Sequence, residues 1–202
     1  MNKKLKVCIA GASGFVGQEL IKLLVKHPYV EIIHLFVNNV GSQNTDLVKK
    51  HKLPDFRKID VKLINECDVL FSAMPHTHSQ NIIKSVNENL VIFDLSADFR
   101  LSNAETYESW YKAKHESKKL LKKAVYGLSE IFKDKIKKSN LIACPGCYPT
   151  SVLLPLIPLL KDNLINTNEI IIDSKSGYSG AGKKTLDSKL YPQIEKNIAI
   201  YG

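Results

Sequence analysis

With 202 residues, of which 44% are apolar and 24% charged, the chain has ordinary globular proportions, which exclude a wholly disordered, collagenous or coiled-coil protein. The formal charge is +9, yet Arg57 and Arg100 are the only arginines and the other basic residues are lysines. Nucleic-acid readers depend on arginine forks and clustered basic faces, so the lysines of residues 112–123 and 133–138 read as solvated helix surface, with no nucleic-acid partner. The longest apolar run, residues 152–160, contains Pro155 and Pro158 and is far shorter than the ~20 residues of a membrane span. The opening MNKKLKVCIAGASG runs into glycines instead of a long apolar signal segment. A cytoplasmic protein with reduced thiols at Cys8, Cys67, Cys144 and Cys147 is the expectation.

Residues 5–10 form a short β-branched run that ends in glycines, and Val16, Leu20, Leu23 and Leu24 then recur at helical intervals, so the start reads as strand, tight turn, helix. Further strands are expected over residues 31–37, 69–74 and 90–95, with a helix over 79–87. This alternation predicts parallel βαβ units in an open, doubly wound α/β sheet. Beyond Asn103 the pattern turns helical and lysine-rich until a last short strand at 141–143, which leads into CPGCYPT. A helix is expected from Pro149 to Leu160 and a buried strand over 169–174. A lone strand needs partners that the remaining residues do not supply, so the chain looks unfinished at Gly202. The expected domains are 1–147 and 148–202.

Gly11, Gly14 and Gly17 in GASGFVG lie between the first strand and first helix, where the backbone and free helix amides, with Ser13, Phe15 and Val16, can approach a pyrophosphate. At Gly14 a β-branched residue would block that approach and meet a penalty at any positive φ. An NAD-preferring site would carry Asp or Glu at the end of the second strand. FVNN supplies none, which leans toward NADP, with Asn38, Asn39, Ser42 or a lysine left to meet the 2′-phosphate because no arginine follows there.

Cys147 falls at the carboxyl edge of the sheet, just ahead of a helix whose N-terminus favours thiolate and aims amides at an oxyanion. C-x-x-C at Cys144 and Cys147 also invites a redox or zinc reading. Zinc would need a second ligand pair, for which His76-x-His78 has the wrong spacing, so no metal is expected.

GASGFVGQEL, CDVLFSAMPHTHS, VIFDLSADFRL, AVYGLSE, CPGCYPTSVLLPL and DSKSGYSGAG, in this order, resemble N-acetyl-gamma-glutamyl-phosphate reductase of arginine biosynthesis. That resemblance implies a Rossmann domain binding NADP(H), followed by the start of a mixed α/β catalytic domain that carries subunit contacts in a homo-oligomer. It makes Cys147 the nucleophile toward a small acyl phosphate, with Pro75 and His76 on the cofactor side. Ser176 and Gly177 would reach the cofactor, and Lys175, Ser179 and Gly180 the substrate. Arg100 reads either as a fork for a carboxylate or phosphate or as a salt bridge with Asp98. Two departures stand out: Ser129 replaces a common proline, and Asn39 stands where an arginine often grips NADP.

The near rival is a related reductase, such as that for the aminoadipyl phosphate of lysine biosynthesis. A short-chain dehydrogenase would need Tyr-x-x-x-Lys, and none of the eight tyrosines has a lysine four residues on. An inactive nucleotide-binding chain is the remaining alternative. All six histidines precede Cys147, whereas the resemblance places the catalytic histidine further on, so these 202 residues alone are expected not to turn over substrate.

Overall fold

The computed structural model describes residues 3–41 and 45–182. Fifteen elements follow in the order β1 (Leu5–Ala10), α1 (Phe15–Leu24), β2 (Val30–Phe36), α2 (Asp46–Lys50), β3 (Phe56–Arg57), α3 (Val61–Ile64), β4 (Val69–Ser72), α4 (His78–Ile83), β5 (Val91–Asp94), α5 (Ala104–Tyr111), α6 (Lys118–Lys123), β6 (Val125–Tyr126), α7 (Ser129–Ile136), β7 (Leu141–Ala143) and α8 (Cys147–Lys161). Two compact units are formed, Met1–Ile157 and Pro158–Gly202.

In the first unit the seven strands form one parallel sheet in the order β3-β2-β1-β4-β5-β7-β6. The chain winds outward from β1 to β3 and then returns to place β4 on the other side of β1, so the crevice at their carboxyl ends is a topological switch point. The strand alternation serves two buried layers. Cys8, Ala10, Leu70 and Ile92 enter one apolar cluster, whereas Val7, Ile9, Val69 and Phe71 enter the other. Phe71 and Phe93 stack across β4 and β5 at 4.9 Å between centroids.

The doubly wound sheet agrees with the sequence pattern, with three differences. The two-residue strands β3 and β6 are too short to show a period. Helix α8 begins at Cys147 itself, because Pro149 in its first turn lacks only an N–H that had no helical partner. The strand expected over 169–174 does not form: Thr167–Glu169 is a single 3₁₀ turn and Ile171 is 94% exposed. Edge groups of a strand need a partner, and no strand is present among the described residues of the second unit.

Polar groups are buried at the carboxyl edge, and nearly all are paired. Asp98, fully buried, accepts from the amides of Thr77 (2.7 Å) and Gln80 (2.9 Å) and from the Tyr107 hydroxyl (2.7 Å). It thereby holds the entry to α4, where Thr77 takes a left-handed φ of +67°, a conformation costing about 1–3 kcal/mol for a non-glycine residue. Behind it the imidazole of His115, 1% exposed, accepts from the Ser117 amide at Nδ1 (3.1 Å), which leaves Nε2–H to donate to the Asp98 carbonyl (2.9 Å). His115 is therefore held neutral, and burial lowers its pKa from the usual 6.5.

The sign of the resulting pH dependence follows. The unfolded chain takes up a proton near pH 6.5 while the native His115 resists, so its stabilising contribution is complete above that pH and is lost as pH falls through the native value. Burial shifts His34 in the same direction. Urea midpoints are expected to fall as pH drops below about 6.5, with His115 contributing at most about 1.4 kcal/mol per pH unit. His115→Phe should be less stable at neutral pH and show a shallower slope; an unchanged slope would contradict the assignment.

Candidate active site

The glycine turn is shaped by two of its three glycines. Gly11 has φ +80° and a Cβ there would lie 2.4 Å from the Ala73 carbonyl oxygen, while one on Gly17 would lie 2.3 Å from that of Gly11. Only glycine fits either position. Gly14 differs from the expectation: its φ is −73°, and an added Cβ would meet only the Gly11 carbonyl oxygen, at 3.4 Å. What Gly14 leaves is open surface above the start of α1. Phe15, Val16 and Gly17 occupy the first turn, where amides have no partner within the helix, and Ser13 is tied to it by its carbonyl, which accepts from Gln18 Nε2 at 3.4 Å. The exposed faces of Phe15 and Val16 border the same opening. These features fit a nucleotide pyrophosphate.

At the end of β2, Asn38 and Asn39 are exposed and carry no carboxylate; Ser42 lies outside the described residues. Sequence reasoning found no arginine here, but the structure brings one from a distance. Arg57 on β3 is in register with Phe36, and its carbonyl accepts the Val37 amide at 2.8 Å. No local pattern marks a two-residue strand, so nothing in the sequence would have revealed it.

Pro75 and His76 follow β4 and are exposed, with the His76 ring 6.0 Å from that of Tyr111. On the next strand end, Asp94 is fully buried and its pKa is raised by burial against hydrogen bonds from Ser79 (2.5 Å) and Ser96 (2.8 Å). Ser79 also bonds Ser72 at 2.7 Å, which ties β4, α4 and β5 together beneath the crevice.

Arg100 does not pair with Asp98. Its Nε donates to the Cys144 carbonyl (2.8 Å) and Nη2 to the Leu95 carbonyl (2.9 Å), and Nη1 lies 3.1 Å from the position of a Cβ on Gly146. No carboxylate among the described residues forms an ion pair with it. Through these bonds the guanidinium braces the loop just before Cys147.

The four thiols are unlike one another. Cys8 and Cys67 are buried, Cys144 is partly buried with its pKa pushed up to about 11 by burial, and Cys147 is exposed as the first residue of α8. All four are free, so Cys144 and Cys147 form no disulfide.

In the second unit, Lys175 pairs with Asp173 at 2.6 Å, and the Ser176 hydroxyl donates to the Gly177 carbonyl at 3.1 Å. Ser179 and Gly180 lie in a 3₁₀ turn over Tyr178–Ala181, with the Gly180 amide bonded to the Gly177 carbonyl. Lys175 is therefore neutralised locally. A separate cleft of about 620 Å³, lined by Leu24, Val30, Ile32 and Leu53, lies at the amino end of β2, away from the strand ends that carry this chemistry.

Sheet order and glycine turn define a dinucleotide-binding α/β domain, and an exposed, free cysteine opens the helix that follows its last strand. The chain belongs to the semialdehyde dehydrogenase family: its NAD-binding domain model matches residues 6–139, and its dimerisation domain model matches residues 147–202. Among relatives, "Probable N-acetyl-gamma-glutamyl-phosphate reductase, chloroplastic" of Arabidopsis thaliana is 43% identical over 99% of this chain and 51% of its own length. N-acetyl-gamma-glutamyl-phosphate reductase of Campylobacter jejuni is 45% identical over 98% of this chain and 59% of its own length. The chain thus spans between half and three fifths of these relatives. Aspartate semialdehyde dehydrogenase II of Vibrio cholerae, at 16% identity, shares the fold with a TM-score of 0.59 over 99% of this chain and 56% of that one. No helix among the described residues is long and apolar enough to cross a membrane.

The different roles of the glycines are separable by mutation. Gly14→Val is expected to fold, with a urea midpoint close to wild type, and to lose nicotinamide dinucleotide binding in a fluorescence titration. Gly17→Val should lose stability outright, because its Cβ has no space. Equal dinucleotide affinity for wild type and Gly14→Val would contradict the placement.

Proposed function

We propose that the chain carries the cofactor-binding and thiol chemistry of an N-acetyl-gamma-glutamyl-phosphate reductase, which converts N-acetylglutamyl 5-phosphate to N-acetylglutamate 5-semialdehyde with NADPH. The observation that carries this reading is Cys147, exposed at the first turn of α8 with the Arg100 guanidinium braced beneath its loop, while Cys144 is held as thiol by burial. It is supported by the names of the relatives that match nearly the whole chain.

The glycine turn and the first amides of α1 bind the pyrophosphate, and the absence of a carboxylate after β2 favours NADP over NAD. When bound, the cofactor supplies hydride. Cys147 as thiolate attacks the acyl carbon; the new C–S bond replaces the C–O bond to phosphate, inorganic phosphate leaves, and a thioester remains. The start of α8 faces the charge that develops on the carbonyl oxygen, with the Cys147 amide as donor. Once the thioester is reduced, the C–S bond breaks, Cys147 is regenerated as thiolate, and the aldehyde departs. Arg100 offers Nη1 to the anionic part of the substrate, and Pro75 and His76 border the cofactor. Lys175, Ser176, Gly177, Ser179 and Gly180 take substrate and cofactor contacts in this reading. The functional boundary falls at Cys147, with 1–147 as the NADP-binding domain and 148–202 as part of a catalytic domain that pairs subunits in a cytoplasmic homo-oligomer.

The reaction is tested on its acyl-transfer half, which depends on Cys147. N-acetylglutamyl 5-phosphate, formed in situ by a kinase, is presented without reduced cofactor, and the protein mass is read before and after hydroxylamine. One hydroxylamine-labile acyl adduct is expected on Cys147, and none on Cys147→Ser. The aminoadipyl analogue should acylate more slowly. Folded protein that binds NADPH yet acquires no adduct, or acquires it elsewhere, contradicts the function; faster acylation by the analogue moves the substrate to the lysine-pathway type.

A further inference from the structure

We infer that Arg57 is the residue that grips the 2′-phosphate of NADP(H), supplying from β3 the guanidinium that the loop after β2 lacks. This rests on the reading of the glycine turn as an NADP site. Three observations support this assignment.

The first is topological. Arg57 is the last residue of β3, opposite Phe36, and its carbonyl receives the Val37 amide at 2.8 Å, so its Cα lies one strand spacing, about 4.8 Å, from the end of the strand that carries the cofactor ribose in this type of fold. The second is electrostatic. Arg57 is exposed and forms no ion pair among the described residues, although Asp60 and Glu66 lie on the same side of the sheet. Asp60 is engaged as the cap of α3, accepting the Lys62 amide at 2.8 Å, and Glu66 faces His34 at 3.9 Å. Lys58 adds a second positive charge next in sequence. The third is the direction of the side chain. Paired residues of parallel strands share a face, so Arg57 extends on the side of Phe36 and His34. Burial first, and then the positive charge of Arg57, lower the His34 pKa from its usual value. Both His34 nitrogens are buried without a hydrogen-bond partner.

Asn38 and Asn39 complete the setting without opposing charge. A planar guanidinium can hold a phosphate through two parallel N–H bonds, which an ammonium cannot reproduce. The two arginines of this chain thereby divide the anions, Arg57 serving the cofactor phosphate and Arg100 the anionic part of the substrate.

The test compares dissociation constants of NADPH and NADH, read by nicotinamide fluorescence, for wild type, Arg57→Ala and Arg57→Lys. NADH lacks only the 2′-phosphate, so it reports on the rest of the site. Arg57→Ala is expected to weaken NADPH by roughly 10- to 100-fold, the loss of charge-assisted hydrogen bonds, while NADH changes less than about twofold. Arg57→Lys should fall between, and wild-type NADPH affinity should drop with added salt more steeply than that of NADH. Unchanged NADPH binding by Arg57→Ala, or equal weakening of both nucleotides, overturns the role of Arg57 and leaves the NADP reading standing. Wild-type protein that prefers NADH, or binds neither nucleotide, overturns both.

Discussion

Backbone hydrogen bonds step across the carboxyl edge of the sheet, each running from the amide just past one strand to the last carbonyl of its neighbour. Val37 donates to Arg57, Gly11 to Phe36, Ala73 to Ala10, Leu95 to Ser72, Cys144 to Asp94, and Gly127 to Ala143, all at 2.8–2.9 Å. Parallel pairing slants its hydrogen bonds, and here the slant continues one residue beyond six of the seven strands, β3 serving only as acceptor. The loops after six strands are thus levelled at their first residue, and β3 is tied at its own last residue, Arg57, by the Val37 amide. The glycine turn, the Asn38 segment, the His76 loop and the segment before Cys147 emerge along one rim because of this register, and a slip in any strand would move its loop out of line.

Rigid strand ends alone would not set the loops beyond them. Asp98 and Asp94, both fully buried, extend the order by a further few residues. Asp98 satisfies the amides that open α4 and so maintains the left-handed Thr77 beside His76. Asp94 gathers Ser79 and Ser96, and Arg100, a few residues further on, braces the Cys144 carbonyl. These buried polar groups are costly if left half-paired, and their mutual satisfaction makes them a fixed floor for the crevice.

Much of this was legible in the sequence, and the gaps have physical causes. β1, the glycine turn and α1 showed because apolar period, glycine spacing and helical recurrence all coincide within residues 5–24, and Cys147 showed through its place after a strand and ahead of a helix. A side chain at Gly14 was expected to block close approach and to meet a penalty at any positive φ, whereas the positive φ belongs to Gly11, since spacing alone does not tell which glycine bends and which makes way for a ligand. The run at 169–174 had the composition of a buried strand, yet a strand is a property of its partners. Arg57 and the Asp98 network were invisible for one reason: both act on residues far away in sequence, and only the sheet order brings them together.

The central claim is that the edge selects Cys147 among four thiols, and brief alkylation with iodoacetamide near neutral pH, followed by peptide mapping, tests it most directly. Thiolate availability and access govern the rate, so Cys147 should be modified first, with Cys144 well behind and Cys8 and Cys67 unmodified until the protein unfolds. Preferential labelling of Cys144, or four thiols reacting at similar rates in the folded protein, would contradict the account.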